Sequence, residues 1–161
     1  MPITLRAATP DDAAFLFEVY ASTRAEELAL TPWTDEQRQA FLKMQFDAQH
    51  SDYHGRFPDA DYQVILADGE AVGRLYVERD KETIHVLDIA VLPERRRAGV
   101  ASYLIQELVA EAGKSEKTVQ IYVETCNPAL SLFEHLGFSK IAEEDFNLLL
   151  EWRGPNSRLN Y

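Results

Sequence analysis

Apolar residues recur along this chain either every second position or every third to fourth, in blocks that punctuating residues separate. Residues 3–8, "ITLRAA", predict a short first strand. Thr9, Pro10, Asp11 and Asp12 supply a cap, a first-turn proline and acidic residues, and the helix they start runs on through Phe15, Leu16, Val19 and Tyr20. A second helix is expected in "TDEQRQAFLKMQFDAQ", with Thr34 as cap, Gln37 three residues on, and Phe41, Leu42, Met44 and Phe46 behind them. "HSDYHGRFPDAD" is rich in breakers and predicts a loop. Two β-like runs then flank Asp68-Gly69, a hairpin signal. Residues 83–92, "TIHVLDIAVL", carry Ile84, Val86 and Ala90 on one face and Leu87, Ile89 and Val91 on the other. A strand apolar on both faces belongs at the centre of a covered sheet, and Pro93 stops this one. The next helix, over 99–112, has a stripe of Val100, Leu104 and Leu108 and ends at Gly113. "TVQIYVE" predicts a strand and "NPALSLFEHLGF" a compact helix, capped by Asn127, started by Pro128 and ended by Gly137, with Phe138 folding back. "FNLLLEW" is a last strand, and residues 154–161 read as loop.

This order predicts an α/β (α+β) fold with one mixed, mostly antiparallel central sheet and helices on both faces. No repeat, low-complexity stretch or linker divides the chain, so residues 1–161 are expected to form a single domain. The 161 residues are 46% hydrophobic and 27% charged, as in ordinary globular proteins. Their formal net charge of -11 argues against a general nucleic-acid binder and favours cationic partners only weakly. No apolar run is long enough for a bilayer, and the N-terminus shows no signal core; a cytoplasmic protein that touches no membrane is expected. The one cysteine, Cys126, allows no internal disulfide and reads as a small buried hydrophobe.

One stretch is out of keeping with the acidic chain. In "PERRRAGVA", Arg95, Arg96 and Arg97 stand just before a helix start, where the backbone N–H groups already carry partial positive charge. An anion would reverse that repulsion. A strand leading through a glycine-containing turn into a helix N-terminus presents converging N–H groups, and the small residues Gly99 and Ala101 let a ligand approach the backbone. The arginines would add charge-assisted contacts to phosphate. The bland alternative has them solvated or paired with surplus carboxylates, Glu94 among them. The phosphate loop of nucleotide hydrolases needs Gly-Lys-Ser/Thr, and the dinucleotide fingerprint needs three spaced glycines; neither is present.

The stretch resembles a different phosphate loop. Arg96-Arg97-Ala98-Gly99-Val100-Ala101 is similar to the Arg/Gln-x-x-Gly-x-Gly/Ala motif of the GNAT family of N-acetyltransferases. "LDIAVLPERRRAGVASYLI" is similar to that family's fourth strand, turn and third helix, and "NPALSLFEHLGF" to its later helix. The resemblance is specific from about Tyr62 to Trp152 and topological upstream.

The resemblance implies acetyl-CoA as co-substrate, an amine as acceptor and no metal. Its pyrophosphate would lie on the turn of Arg96, Arg97, Ala98, Gly99, Val100 and Ala101. Its pantetheine arm would run beside Ile89, Ala90 and Val91 like an added strand, where the fourth and fifth strands part, with main-chain hydrogen bonds from Ile89 and Val91. The Val91 N–H would polarise the thioester carbonyl. Asn127 would contact the arm, although its N-cap role is as plausible. An alkyl amine with a pKa near ~10 must lose a proton before it attacks, and Asp88 or Glu124 is the candidate base. Asp88 interrupts an apolar strand, a setting in which a carboxylate holds its proton more tightly; Glu124 ends the fifth strand. A purely structural carboxylate remains the alternative for both, and His85 is a weaker third candidate. Phe133 stands in the cofactor-side helix where the family often has a tyrosine that protonates the leaving thiolate. That departure keeps a second reading open, a non-catalytic acyl-CoA binding or sensing module. Acceptor selection would belong to residues 31–62, which contain Trp33, Met44, Tyr53, His54, Arg56 and Phe57 with Asp52, Asp59 and Asp61. Dimers are frequent in such proteins, so a homodimer is compatible with the resemblance.

Overall fold

In a computed structural model of the chain, residues 2–96 and 98–154 are described. Arg97 lies outside them, as do residues 155–161, on which most of the expected C-terminal loop falls. The chain forms one seven-stranded mixed sheet with helices, in the strand order β1-β2-β3-β4-β5-β7-β6. The strands are β1 (Ile3–Ala7), β2 (Asp61–Ala67), β3 (Glu70–Arg79), β4 (Thr83–Val91), β5 (Thr118–Glu124), β6 (Ser139–Glu144) and β7 (Asn147–Trp152). The α-helices are α1 (Ala13–Ala29), α2 (Asp35–Arg56), α3 (Val100–Ser115) and α4 (Leu130–His135). No helix among the described residues is long and apolar enough to cross a membrane.

The chain divides into two compact units. The first contains the residues up to Leu75 and Ala90–Arg96. Here β1 pairs antiparallel with β2, from Ile3 opposite Ala67 to Ala7 opposite Gln63. Leu16, Tyr20 and Leu28 of α1, Leu42 and Phe46 of α2, and Val64 of β2 form its core. The Thr9 N–H and the Arg6 guanidinium both donate to the Asp12 carboxylate, each at 2.8 Å, and hold that carboxyl far below the usual range. Asp68 and Gly69 both have positive φ, 51° and 81°, as the tight turn expected there requires.

The second unit contains Tyr76–Ile89 and the described residues after Arg96. Parallel pairing joins β4 to β5, and β5 pairs antiparallel with β7, which in turn pairs with β6. Val119, Ile121 and Val123 are buried while Tyr122 and Glu124 face outward, and α3 packs on β5 with Val100, Leu104, Ile105, Leu108 and Ala112 buried.

Four local expectations are corrected. The stretch expected as a loop from His50 is helical as far as Arg56, because α2 carries its own side-chain support there. Arg56 pairs with Asp52 one turn back at 3.3 Å, and the rings of His50 and His54 lie 4.2 Å apart. The Tyr62 hydroxyl lies within hydrogen-bond distance of the carbonyls of both Tyr53 (2.9 Å) and Phe57 (2.7 Å), and its one proton adds to the Phe57 and Ala60 N–H groups that those carbonyls already accept. Second, Gly113 lies inside α3, and Glu116 takes the left-handed terminal position instead, at φ 56°. Third, β6 completes a hairpin that the sequence pattern does not announce, since most of its residues are exposed. Fourth, Cys126 is exposed, in the turn after β5, rather than buried.

Candidate active site

Backbone geometry prepares the end of β4 and the start of α3. Gly73 of β3 lies so close to β4 that a Cβ there would collide with the Ala90 carbonyl oxygen. The Leu92 N–H donates to the Val72 carbonyl at 2.8 Å, which fixes the strand end. Pro93 then opens a single 3-10 turn, Pro93–Arg95, as its fixed φ and missing N–H allow. Gly99 sits in the left-handed region (φ 78°) as the residue preceding α3, and no side chain caps the helix there. A Cβ at Gly99 would meet open space, so the glycine is demanded by its φ and leaves the backbone approachable. Ala98 is exposed, Val100 is buried and anchors the turn, and Ala101 is half-buried.

The described arginines are partly occupied. Arg95 Nη2 pairs with Glu70 at 2.7 Å, so surplus carboxylate does engage the run, through Glu70 of β3. Arg96 is exposed and its Nε donates to the Val91 carbonyl at 3.2 Å. Arg97 falls outside the described residues. The arginines thus brace the loop, and the uncapped helix end with its glycine is the more open feature.

The pairing of β4 with β5 covers four residue pairs, from Thr83 with Thr118 to Val86 with Ile121. Beyond these, β4 continues to Val91 and β5 to Glu124 without pairing to each other. The strands therefore part, and Leu87, Asp88, Ile89 and Ala90, all half-buried, lie on the parted stretch of β4, with buried Val91 at its end. On β5 the parted stretch holds Tyr122, Val123 and Glu124. Glu124 is exposed and faces Asn147 of β7 in register. His85 and Tyr122 approach with ring centres 6.2 Å apart.

Asn127 is exposed, and its Oδ1 accepts from the Ala129 N–H at 2.9 Å in a turn ahead of α4; the helix starts at Leu130 with Ala129 as its N-cap, so Asn127 and Pro128 do not cap and start it as expected. Phe133 is buried, edge-on to Phe138 with ring centres 5.4 Å apart, and the Phe138 N–H donates to the Phe133 carbonyl at 3.0 Å. The helix end closes as expected, with Gly137 at φ 97°. Sequence reasoning passed over Arg74, buried in β3, whose Nη2 donates to Gln49 Oε1 at 2.9 Å beneath the Tyr20 ring. Its signal was available: a cation inside the apolar run "AVGRLYV".

The sequence profile of the acetyltransferase (GNAT) domain matches residues 58–140, more than half of the chain. No curated protein sequence matches. Among solved structures, the N-acetyltransferase PaiA from Thermoplasma acidophilum, in complex with coenzyme A, superposes with a TM-score of 0.71 at 16% identity, over 96% of this chain and 100% of that one. A protein provisionally described as a phosphinothricin N-acetyltransferase gives 0.63 at 26% identity, over 94% and 98%. The ribosomal-protein-S18-alanine N-acetyltransferase from Escherichia coli gives 0.61 at 17% identity, over 98% and 100%. With the profile match over its central half and the seven-stranded mixed sheet around it, the chain belongs to the GNAT acetyltransferase family.

Proposed function

We propose that this chain transfers an acetyl group from acetyl-CoA to a primary amine of a small molecule or peptide, by direct attack in a ternary complex. The observation that carries this reading is the uncapped α3 start with left-handed Gly99, placed directly after a β4 that parts from β5. The residues present fit the co-substrate. First-turn N–H groups of α3 with Ala98 and Gly99 cradle the pyrophosphate, and Arg96 and Arg97 support it. Ile89, Ala90 and Val91 hold the pantetheine arm, whose extended backbone-like shape suits the open side of a strand. The acceptor nitrogen attacks the thioester carbonyl carbon while the Val91 N–H steadies the developing oxyanion. The nitrogen's proton passes to Asp88 or Glu124, directly or through water, and the carbon–sulfur bond breaks with the thiolate leaving. Asn127 serves the arm with whatever its turn contact to Ala129 leaves free, and Phe133 packs the cofactor-side helix.

Phe133 favours a second reading, a non-catalytic acyl-CoA sensor, because a buried phenyl ring has no proton for the leaving thiolate. One experiment separates the two. Protein, acetyl-CoA and a panel of amines are mixed and free thiol is followed. Thiol release with at least one amine supports the enzyme. Cofactor-dependent stabilisation without thiol release across a broad panel supports the sensor. Absence of stabilisation by acetyl-CoA overturns both.

A further inference from the structure

A feature on α2 stands apart from acetyl transfer. Phe46, His50 and His54 recur at i, i+4 and i+8 and form a column of rings along one helix face. Ring centres are 6.3 Å apart for Phe46 and His50 and 4.2 Å for His50 and His54; Tyr62 of β2 stacks on His54 at 4.0 Å, only 20° from parallel. The two imidazoles are exposed to solvent, yet both are held: buried Phe46 lies one turn before His50, and the half-buried ring of Tyr62 backs His54. Tyr62 is itself anchored through its hydroxyl at the end of the helix.

We propose that His50 and His54 form a two-imidazole site for a borderline divalent transition cation such as Zn²⁺ or Ni²⁺. Imidazole nitrogen is the ligand such cations favour. With zinc–nitrogen bonds of about 2.0–2.1 Å and a tetrahedral angle, two imidazoles on one ion place their ring centres roughly 5 Å apart. The two ring centres, 4.2 Å apart and 40° from parallel, lie within about 1 Å of that spacing, and side-chain rotation has to turn one nitrogen of each ring toward the ion. The site lies in the last turns of α2, where the helix dipole favours a cation. Asp47 stands one turn before His50 and is held by Lys43 at 3.0 Å. No group of three His, Cys, Asp or Glu among the described residues is placed to hold a metal, so water completes the coordination and the ion exchanges. Such an ion would clamp the final turns of α2.

The test is calorimetric titration of the untagged, chelator-treated full chain with ZnCl₂ near neutral pH. One ion per chain is expected. His50→Gln and His54→Gln should each weaken binding by at least about tenfold, since each removes a ligand outright. Both side chains are exposed, so the fold should persist, which circular dichroism checks. His135→Gln, an exposed position on α4, should leave binding unchanged. No binding up to millimolar zinc, or equal affinity in the His50 or the His54 variant, would overturn the site.

Discussion

The end of α2 and the start of α3 treat the same physical problem in opposite ways. Every helix terminus leaves backbone polar groups without intrahelical partners. At the end of α2 the protein supplies its own: Tyr62 reaches back to two carbonyls, Phe57 N–H donates to the Tyr53 carbonyl at 2.7 Å, and aromatic rings cover the last turns. At the start of α3 no side chain caps the helix, glycine replaces any residue that could, and its left-handed backbone stands in the open. The difference teaches where to look for function. A terminus closed from within contributes stability; one whose N-cap is a glycine in open space leaves its first N–H groups to an outside partner, the role we propose for α3.

Substitution by glutamate at each end breaks this comparison most forcefully. Gly99→Glu should abolish stabilisation by acetyl-CoA, because a charged side chain enters the phosphate cradle at a strained φ. At 100 times its dissociation constant the ligand should stabilise the parent by roughly 2.7 kcal/mol and the variant not at all. Gly55→Glu, near the end of α2 with open space around its Cβ, should respond to acetyl-CoA like the parent. Equal responses at both glycines would remove the open end of α3 from the binding site.

Chemistry should be separable from that binding. Asp88→Asn should keep the melting shift with acetyl-CoA and lower turnover by about 10²–10⁴, the range for a lost general base. If turnover is unchanged in Asp88→Asn and falls in Glu124→Gln, the base is Glu124. A smaller effect is expected at the closed helix end. Tyr62→Phe keeps the ring stacked on His54 and removes a hydrogen bond from carbonyls that keep their Phe57 and Ala60 N–H donors, costing about 0.5–1.5 kcal/mol in denaturant unfolding without changing the response to acetyl-CoA.

The smallest effect concerns pH. His54 is disposed against protonation by burial and by His50, so the unfolded chain takes up that proton more readily. Its contribution to stability is complete above the ordinary histidine value of 6.5 and declines as pH falls toward the lower value of the folded chain. Urea midpoints measured from pH 7.5 down to 5.5 should therefore fall less steeply in His54→Gln than in the parent.

What could be read from the chain divides along the same line. Thr34 with Gln37, Asp68-Gly69 and Gly137-Phe138 are local devices, and each was legible because the residues that close the structure are neighbours in sequence. The last turns of α2 were not, because their partner Tyr62 belongs to the following strand and local propensity counted His50, Asp52 and Gly55 as breakers. β6 was missed because period-two patterning needs a buried face, and this edge strand has only Ala142 partly covered. At the candidate site, the glycine turn was legible as a fixed motif. The parting of β4 from β5 came from resemblance alone, since strand separation leaves no periodicity. Arg95 illustrates the limit of reading charge: its carboxylate is Glu70, distant in sequence, and not adjacent Glu94.

The four-pair ladder between β4 and β5 has one more consequence. Where the two strands cease to pair, the sheet acquires a pair of edges in its interior rather than at its rim. Rim strand β6 is guarded by Lys140, Glu143, Glu144 and an irregular register, the usual defences against stray strand pairing. The inner notch has Leu87, Ile89, Ala90 and Val91 on one side, with Asp88 the one charge among them, and Glu124 at the end of the other. It is the place where a foreign extended segment could add itself to the fold. A co-substrate that lies there as a surrogate strand would also act as a guard, so the chain should resist aggregation better when purified and stored with it than without.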